Sequence, residues 1–177
     1  MKIGIISDTH DHLDNLDRAL EKLEGQGIDL LCHLGDWNSP FIFDRVDEWA
    51  KKVGVSVKGV LGNNDGEIFK IVEQVRERWD VELVQYTLAL KVGDKRVVLY
   101  HGTDARITKA FVKSGLYDVV LSGHTHEPSK KKVGEVLALN PGTLSGFSKK
   151  RGRLKEGELA VYDSNTHVAE LLTFPTT

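Results

Sequence analysis

Five short segments of the chain carry residue types that bind metal ions: Asp8-Thr9-His10, Gly35-Asp36, Gly62-Asn63-Asn64-Asp65, His101-Gly102 and Gly123-His124-Thr125-His126. Carboxylate, amide and imidazole groups supply oxygen and nitrogen donors. Asp8 and His10, two residues apart on extended or turning backbone, can converge on one ion, and paired histidines at the spacing of His124 and His126 often bind metal. Taken singly, each segment has an ordinary reading. Asp8 can cap a helix, Gly35-Asp36 is a common turn, and Asn63-Asn64-Asp65-Gly66 resembles a capping turn. Their joint occurrence points to metal. A mixed nitrogen and oxygen set suits Mn, Fe, Zn, Co or Ni and is too rich in nitrogen for a Ca or Mg site. The donors suffice for two ions, which at about 3.5–4 Å apart clamp a phosphoryl group and activate a bridging water. A carboxylate is the natural bridge, because its two oxygens serve both ions.

Each segment sits just beyond a short apolar run. Lys2 to Ser7 reads as a strand covered on both faces, and it opens directly onto Asp8. Helical spacing of Leu13, Leu16, Leu20 and Leu23 predicts a helix over 12–24, stopped by Gly25-Gln26-Gly27. Ile28 to Leu34 is a second strand, closed by Gly35-Asp36. A helix over 39–53 opens near Ser39-Pro40. Val55 to Leu61 is a third strand, and residues 67–79 read as a third helix. This alternation predicts a parallel sheet with right-handed crossovers, whose ligands gather at the carboxyl ends of the strands. Beyond residue 80 the texture changes. Leu83 to Val92 and Arg96 to Tyr100 read as a hairpin turning at Gly93-Asp94. A helix near 105–114 leads to the strand Asp118 to Ser122. Lys132 to Leu139, Thr143 to Phe147, Leu159 to Asp163 and Val168 to Phe174 then read as consecutive strands of a second, more antiparallel sheet.

The 177 residues form one expected domain with room for a substantial core. Hydrophobic residues at 40% and charged residues at 28% have the balance of a soluble globular chain. A net charge of -2 carries no basic excess for nucleic acid. Lys130-Lys131-Lys132 and Lys149-Lys150-Arg151 leave a local basic rim open, although solvated turns are the preferred reading. No apolar run reaches membrane-spanning length. The first strand begins right after Met1-Lys2, so no signal peptide is expected. The one cysteine, Cys32, suits a reducing cytoplasm and reads as core rather than nucleophile.

In their order, Asp-x-His, Gly-Asp, Gly-Asn-x-Asp, His-Gly and Gly-His-x-His resemble the motifs of the calcineurin-like metallophosphoesterase superfamily. The short chain, Ser7-Asp8-Thr9-His10 and Asn140-Pro141-Gly142-Thr143 are similar to its small prokaryotic phosphodiesterase branch. The retromer scaffold subunit shares that fold. The resemblance implies a four-layer α-β-β-α sandwich with two mixed sheets and a dinuclear site at the strand ends. It implies that Asp8, His10 and His126 hold one ion and that Asn63, His101 and His124 hold the other, with Asp36 bridging. Of the candidate metals, manganese is preferred. The implied reaction is attack of a metal-bound hydroxide on phosphorus, on a small-molecule phosphodiester.

One position departs from the pattern. Many members of the superfamily carry His after the metal-binding Asn, and it helps protonate the leaving oxygen. Here that residue is Asn64, whose amide donates hydrogen bonds but delivers no proton at neutral pH. His12 is the nearest substitute in sequence, though a surface-helix residue is its plainer reading. Asp65 is expected to orient a neighbouring ligand. Competing readings are a phosphomonoesterase or pyrophosphatase, a nuclease, and an interaction scaffold with a vestigial site. Intact ligand types at all seven positions favour the enzyme. Homo-oligomerisation is left open.

Overall fold

The computed structural model describes residues 1–76 and 81–177. Its first sheet grows from β1 (Lys2–Ile6), β2 (Leu30–His33), β3 (Ser56–Val60) and β4 (Val81–Val84), paired in parallel in that order. The crossovers are α1 (Leu13–Glu24), α2 (Pro40–Val53) and α3 (Ile68–Arg76). Residues 77–79 of the helix expected over 67–79 lie outside the described residues. Leu16, Leu20, Leu23, Ile42, Val46 and Ile71 of these helices pack on Ile6, Leu31 and Val57 of the sheet. This is why β1 and β2 are apolar at nearly every position: one face meets helices, and the other meets a second sheet.

That second sheet has the order β5 (Thr87–Val92), β6 (Lys95–Tyr100), β7 (Val119–Leu121), β9 (Val136–Asn140), β8 (Ser129–Val133). Ile3, Ile5, Leu30, Cys32 and Val60 from the first sheet interdigitate with Val97, Leu99, Val119, Leu121 and Leu139 from the second. The helix α4 (Ala105–Ser114) covers the outer face of the second sheet, where Phe111 and Val112 meet Val98, Val120 and Val136. The layers are therefore helix, sheet, sheet, helix, and both large sheets mix parallel with antiparallel pairs.

Four expectations are corrected. The strand read from Leu83 to Val92 is two strands: β4 ends the first sheet, and β5 begins the second. The chain changes sheets at Gln85-Tyr86, where no Gly or Pro marks the break. Lys132 to Leu139 is a hairpin, because Gly134 turns it with φ +60° and β8 folds back on β9. Thr143 to Phe147 is mainly loop, followed by the short pair β10 (Phe147–Ser148) and β11 (Gly152–Arg153). The closing hairpin, β12 (Glu156–Asp163) and β13 (Val168–Pro175), does not extend the second sheet. It returns to the first, where β12 runs antiparallel to β1.

Cys32 lies fully buried between the sheets. Burial pushes its thiol up to about 12, against the weaker pull of Lys58. The thiolate is the reactive form, so the folded protein should resist iodoacetamide at pH 8, with labelling limited by opening of the core. Labelling as fast as in urea would mean that the two sheets do not pack as described.

Candidate metal centre

Each of the seven candidate ligands stands on a loop leaving the carboxyl end of a strand. Asp8 and His10 follow β1, Asp36 follows β2 and Asn63 follows β3; His101 follows β6, and His124 and His126 follow β7. The loops are stitched to one another. Asp8 N donates to Gly35 O at 3.0 Å, His10 N to Asp36 O at 3.1 Å, and Gly123 N to His101 O at 2.8 Å. Across the sheets, His124 N donates to Asp8 Oδ2 at 2.9 Å.

The structure brings the donors into two adjacent groups. Asp8, His10 and His126 form one, and Asp36, His101 and His124 form the other. His126 Nε2 lies 3.3 Å from Asp8 Oδ1 and 3.1 Å from His10 Nε2. Asn63 Oδ1 lies 3.1 Å from His101 Nε2. Asp36 Oδ2 sits between the groups, 3.5 Å from His10 Nε2 and 3.4 Å from His101 Nε2.

Two backbone carbonyls fix the histidine tautomers. His101 Nδ1 faces Leu34 O at 2.7 Å, and His126 Nδ1 faces Phe147 O at 2.6 Å. A carbonyl only accepts, so Nδ1 carries the proton in both rings, and in the neutral ring Nε2 turns a lone pair inward. Asp8 Oδ1 is buried and accepts no hydrogen bond. Imidazole lone pairs turned toward carboxylate oxygens, one of them buried with no hydrogen bond, fit divalent cations.

Charge within the site follows the same logic. Burial pushes the Asp36 carboxyl up, but His101 and Asn64 overcome it and hold the group well below the ordinary carboxylate range. Burial lowers His101 and His126, yet the carboxylates of Asp36 and Asp8 leave both net raised. In His10 and His124 burial wins, and both are lowered.

The backbone is strained where the donors are. Asp8 (φ 55°), His10 (48°), Asp36 (57°), His124 (67°) and His126 (56°) all adopt the left-handed region. Such residues cost of order 1–3 kcal/mol each and persist only where the surroundings enforce them.

The remaining candidates fall into distinct places. Asn64 donates to Asp36 twice, from N at 2.9 Å and from Nδ2 at 2.7 Å. Asp65 accepts from Asn38 N at 2.7 Å and Gly62 N at 2.6 Å, tying the Asn63 loop to the Asp36 loop, and burial raises its carboxyl. His12 opens α1 at the surface, and no described contact joins its ring to either group. Arg151 is not part of a basic rim. It makes a double contact with Glu158, at 2.6 and 2.9 Å, and also reaches Glu127 and the carbonyl of His126.

Sequence reasoning passed over His33. The ring is wholly buried in β2 and stacked on Trp37, which stacks in turn on Phe43. Gly35 N donates to His33 Nδ1 at 3.2 Å, so Nε2 carries the proton toward Thr9 Oγ1, 2.7 Å away. Burial keeps the ring neutral, well below the usual histidine range. One side chain thus ties the Asp8–His10 turn to the Gly35–Asp36 turn. A lone polar residue inside an apolar strand, two positions before Gly35, was its signal.

A site of this composition between two sheets defines a metal-dependent phosphoesterase. The sequence profile of the calcineurin-like phosphoesterase superfamily domain matches residues 1–166, and the chain belongs to that superfamily. Phosphodiesterase MJ0936 of Methanocaldococcus jannaschii is 35% identical over 147 residues, which cover 83% of this chain and 86% of that protein. The solved structure of an archaeal phosphodiesterase superposes with TM-score 0.86 at 30% identity, covering 98% of this chain and 100% of that one. Vps29 of Entamoeba histolytica, solved with zinc, shares the fold with TM-score 0.67 at 17% identity and 99% coverage of both chains.

Gly123 lets the histidine loop close on the Asp8 turn. A Cβ there would run into Ser7 Oγ and stand 2.7 Å from Asp8 Oδ2. Gly123→Ala should therefore destabilise the protein by about 1–3 kcal/mol in urea denaturation, the range for overpacking a closed site. A cost under about 0.5 kcal/mol, the level of an ordinary surface change, would show that the two loops are not packed this way.

Proposed function

We propose that the protein is a dinuclear phosphodiesterase. In this reading Asp8, His10 and His126 hold one divalent ion, Asn63, His101 and His124 hold the other, and Asp36 bridges them. The observation that carries it is the place of Asp36 Oδ2, within 3.5 Å of an imidazole of each group. Kinship to phosphodiesterase MJ0936 supports the reaction class. The ions, manganese by preference, would supply Lewis-acid charge and an activated water at the phosphorus.

The chain's own groups do the rest. Leu34 O and Phe147 O hold two rings with Nε2 inward, and His33 holds the two acidic turns in register. Asn64 spends its amide on Asp36, which keeps that carboxylate anionic and leaves no proton donor at this position for the departing oxygen. Diesters with acidic alcohols need that proton least, and a monoester dianion would bring extra negative charge to a site with no cationic side chain here. A small diester is therefore the preferred substrate, within a single domain acting in the cytoplasm. Among the described residues, no helix is long and apolar enough to cross a membrane.

Asp36→Asn tests the bridge. Asn tolerates the left-handed backbone at this position, so the fold should survive. Metal content should fall, and turnover should drop by more than about 10²-fold, beyond what loss of a group merely orienting a ligand costs. Two retained ions with near-normal turnover would end the bridging assignment.

Asn64→His tests the missing acid. General acid catalysis contributes about 10²–10⁴-fold where it operates. Wild type should hydrolyse diesters well above monoesters and slow steeply as the leaving alcohol becomes less acidic. Asn64→His should flatten that slope, with its largest gain on the poorest leaving groups. A wild type that prefers monoesters, unchanged by the substitution, would place the proton donor elsewhere.

A further inference from the structure

Beside the Asn63–His101 half of the centre lies a cleft of about 420 Å³. Asn63 and His101 form its inner end, and Ile68, Tyr86, Tyr100 and Ile107 form its apolar walls. Among the described residues, no Lys, Arg, Asp or Glu lines it. Its outer walls are not consumed by the core: Tyr86 is 68% exposed, Ile68 43% and Ile107 41%. They come from the three elements around the sheet switch, α3, the β4–β5 turn and α4. Tyr100 is held from behind, since its hydroxyl accepts from Asp104 N at 3.0 Å.

A diester differs from a monoester by a second organic arm. With phosphorus at the metal centre, an arm on the His101 side has this cleft beside it. Its walls carry no charge to meet a further phosphate, and they offer aromatic and branched aliphatic surface that gains by being covered. A second cleft of about 440 Å³, between α4 and the β8–β9 hairpin, is also largely apolar but carries charge, with Lys109, Lys113 and Lys131 in its lining. We infer that the Tyr86–Ile107 cleft receives one ester arm of the substrate and that it selects a flat aromatic arm over a small alkyl one. The inference rests on the diesterase reading and adds to it a substrate class and the residues that choose it.

Two substrates release the same alcohol and differ in the retained arm, bis(p-nitrophenyl) phosphate and methyl p-nitrophenyl phosphate; their intrinsic reactivities are common to wild type and variants, so the change in preference on substitution isolates the arm. The metal-loaded wild type should favour the first in kcat/KM. Tyr86→Ala should cut that preference about tenfold, through KM, as expected for losing apolar cover of one ring face. Tyr86→Phe should keep it, and Ile107→Ala should lower it by a smaller factor. An unchanged preference in both Ala variants would overturn the inference. Phenylphosphonate, which is not hydrolysed, gives a test free of turnover. Titrated into the zinc-loaded protein, it should shift the methyl resonances of Ile68 and Ile107, with methylphosphonate moving them far less. Shifts at Val112 and Val133 instead would assign the arm to the lysine-lined cleft and overturn the proposal. Failure to hydrolyse either diester would count against the diesterase reading alone, while the titration still decides the cleft.

Discussion

Two carboxylates and four imidazoles face one another where the two sheets meet, and such an assembly is stable only around positive charge. The backbone around it is shaped to that demand. Five of the donors sit in left-handed conformations that cost energy locally. Two rings are locked by carbonyls into the tautomer that turns a lone pair inward. Asp8 Oδ1 is buried with no hydrogen bond to compensate. None of this favours folding by itself. The apolar layer between the sheets, and the larger one beneath α1–α3, must carry that cost.

The clustering of the candidate donors was legible in the sequence because each stands after an apolar run and often beside Gly, so type and place coincide. The first sheet and its helices were legible because periodicity switches from strand to helix at every early boundary, and the resemblance implied the four layers. The failures are equally physical. Nothing in Leu83 to Val92 marks a change of sheet, since strands on either side of Gln85-Tyr86 look alike locally and differ only in their distant partners. The return of β12 and β13 to the first sheet is likewise a matter of tertiary pairing. Thr143 to Ser145 looked like a strand because it is buried. Its backbone bonds run instead to Ser7 and Asp8, and Thr143 Oγ1 donates to Asp8 O at 2.9 Å. Arg151 looked like part of a solvated basic run until its acidic partners came from Glu127 and Glu158.

The same sandwich is found in Vps29, at a level of identity that speaks for the fold alone. Fold leaves function open, because chemistry lives in the residues placed on it. In this chain several buried or paired side chains are devoted to those residues. His33, Asp65, Asn140 and Arg151 each contact a loop that presents a donor, and none would be needed for the sheets to pack. Asn140 Nδ2, for instance, donates to Gly123 O at 2.8 Å, directly before the His124 turn.

The position of β1 has a consequence for how the protein is made. Ile3 stands beside Leu30 on one side and beside Tyr162 on the other. A ribosome therefore delivers every candidate metal donor before it delivers the strand that completes the frame around Asp8. Until then β1 is a central strand with one edge bare. Such an edge is open to wrong partners, and long-range pairing is the slow part of folding. Arrival of β12 closes the edge, and the Thr143–Ser145 loop clamps the Asp8 turn. The frame around Asp8 is thus complete only once residues 156–163 have been made, so the last quarter of the chain decides when its first strand is secure.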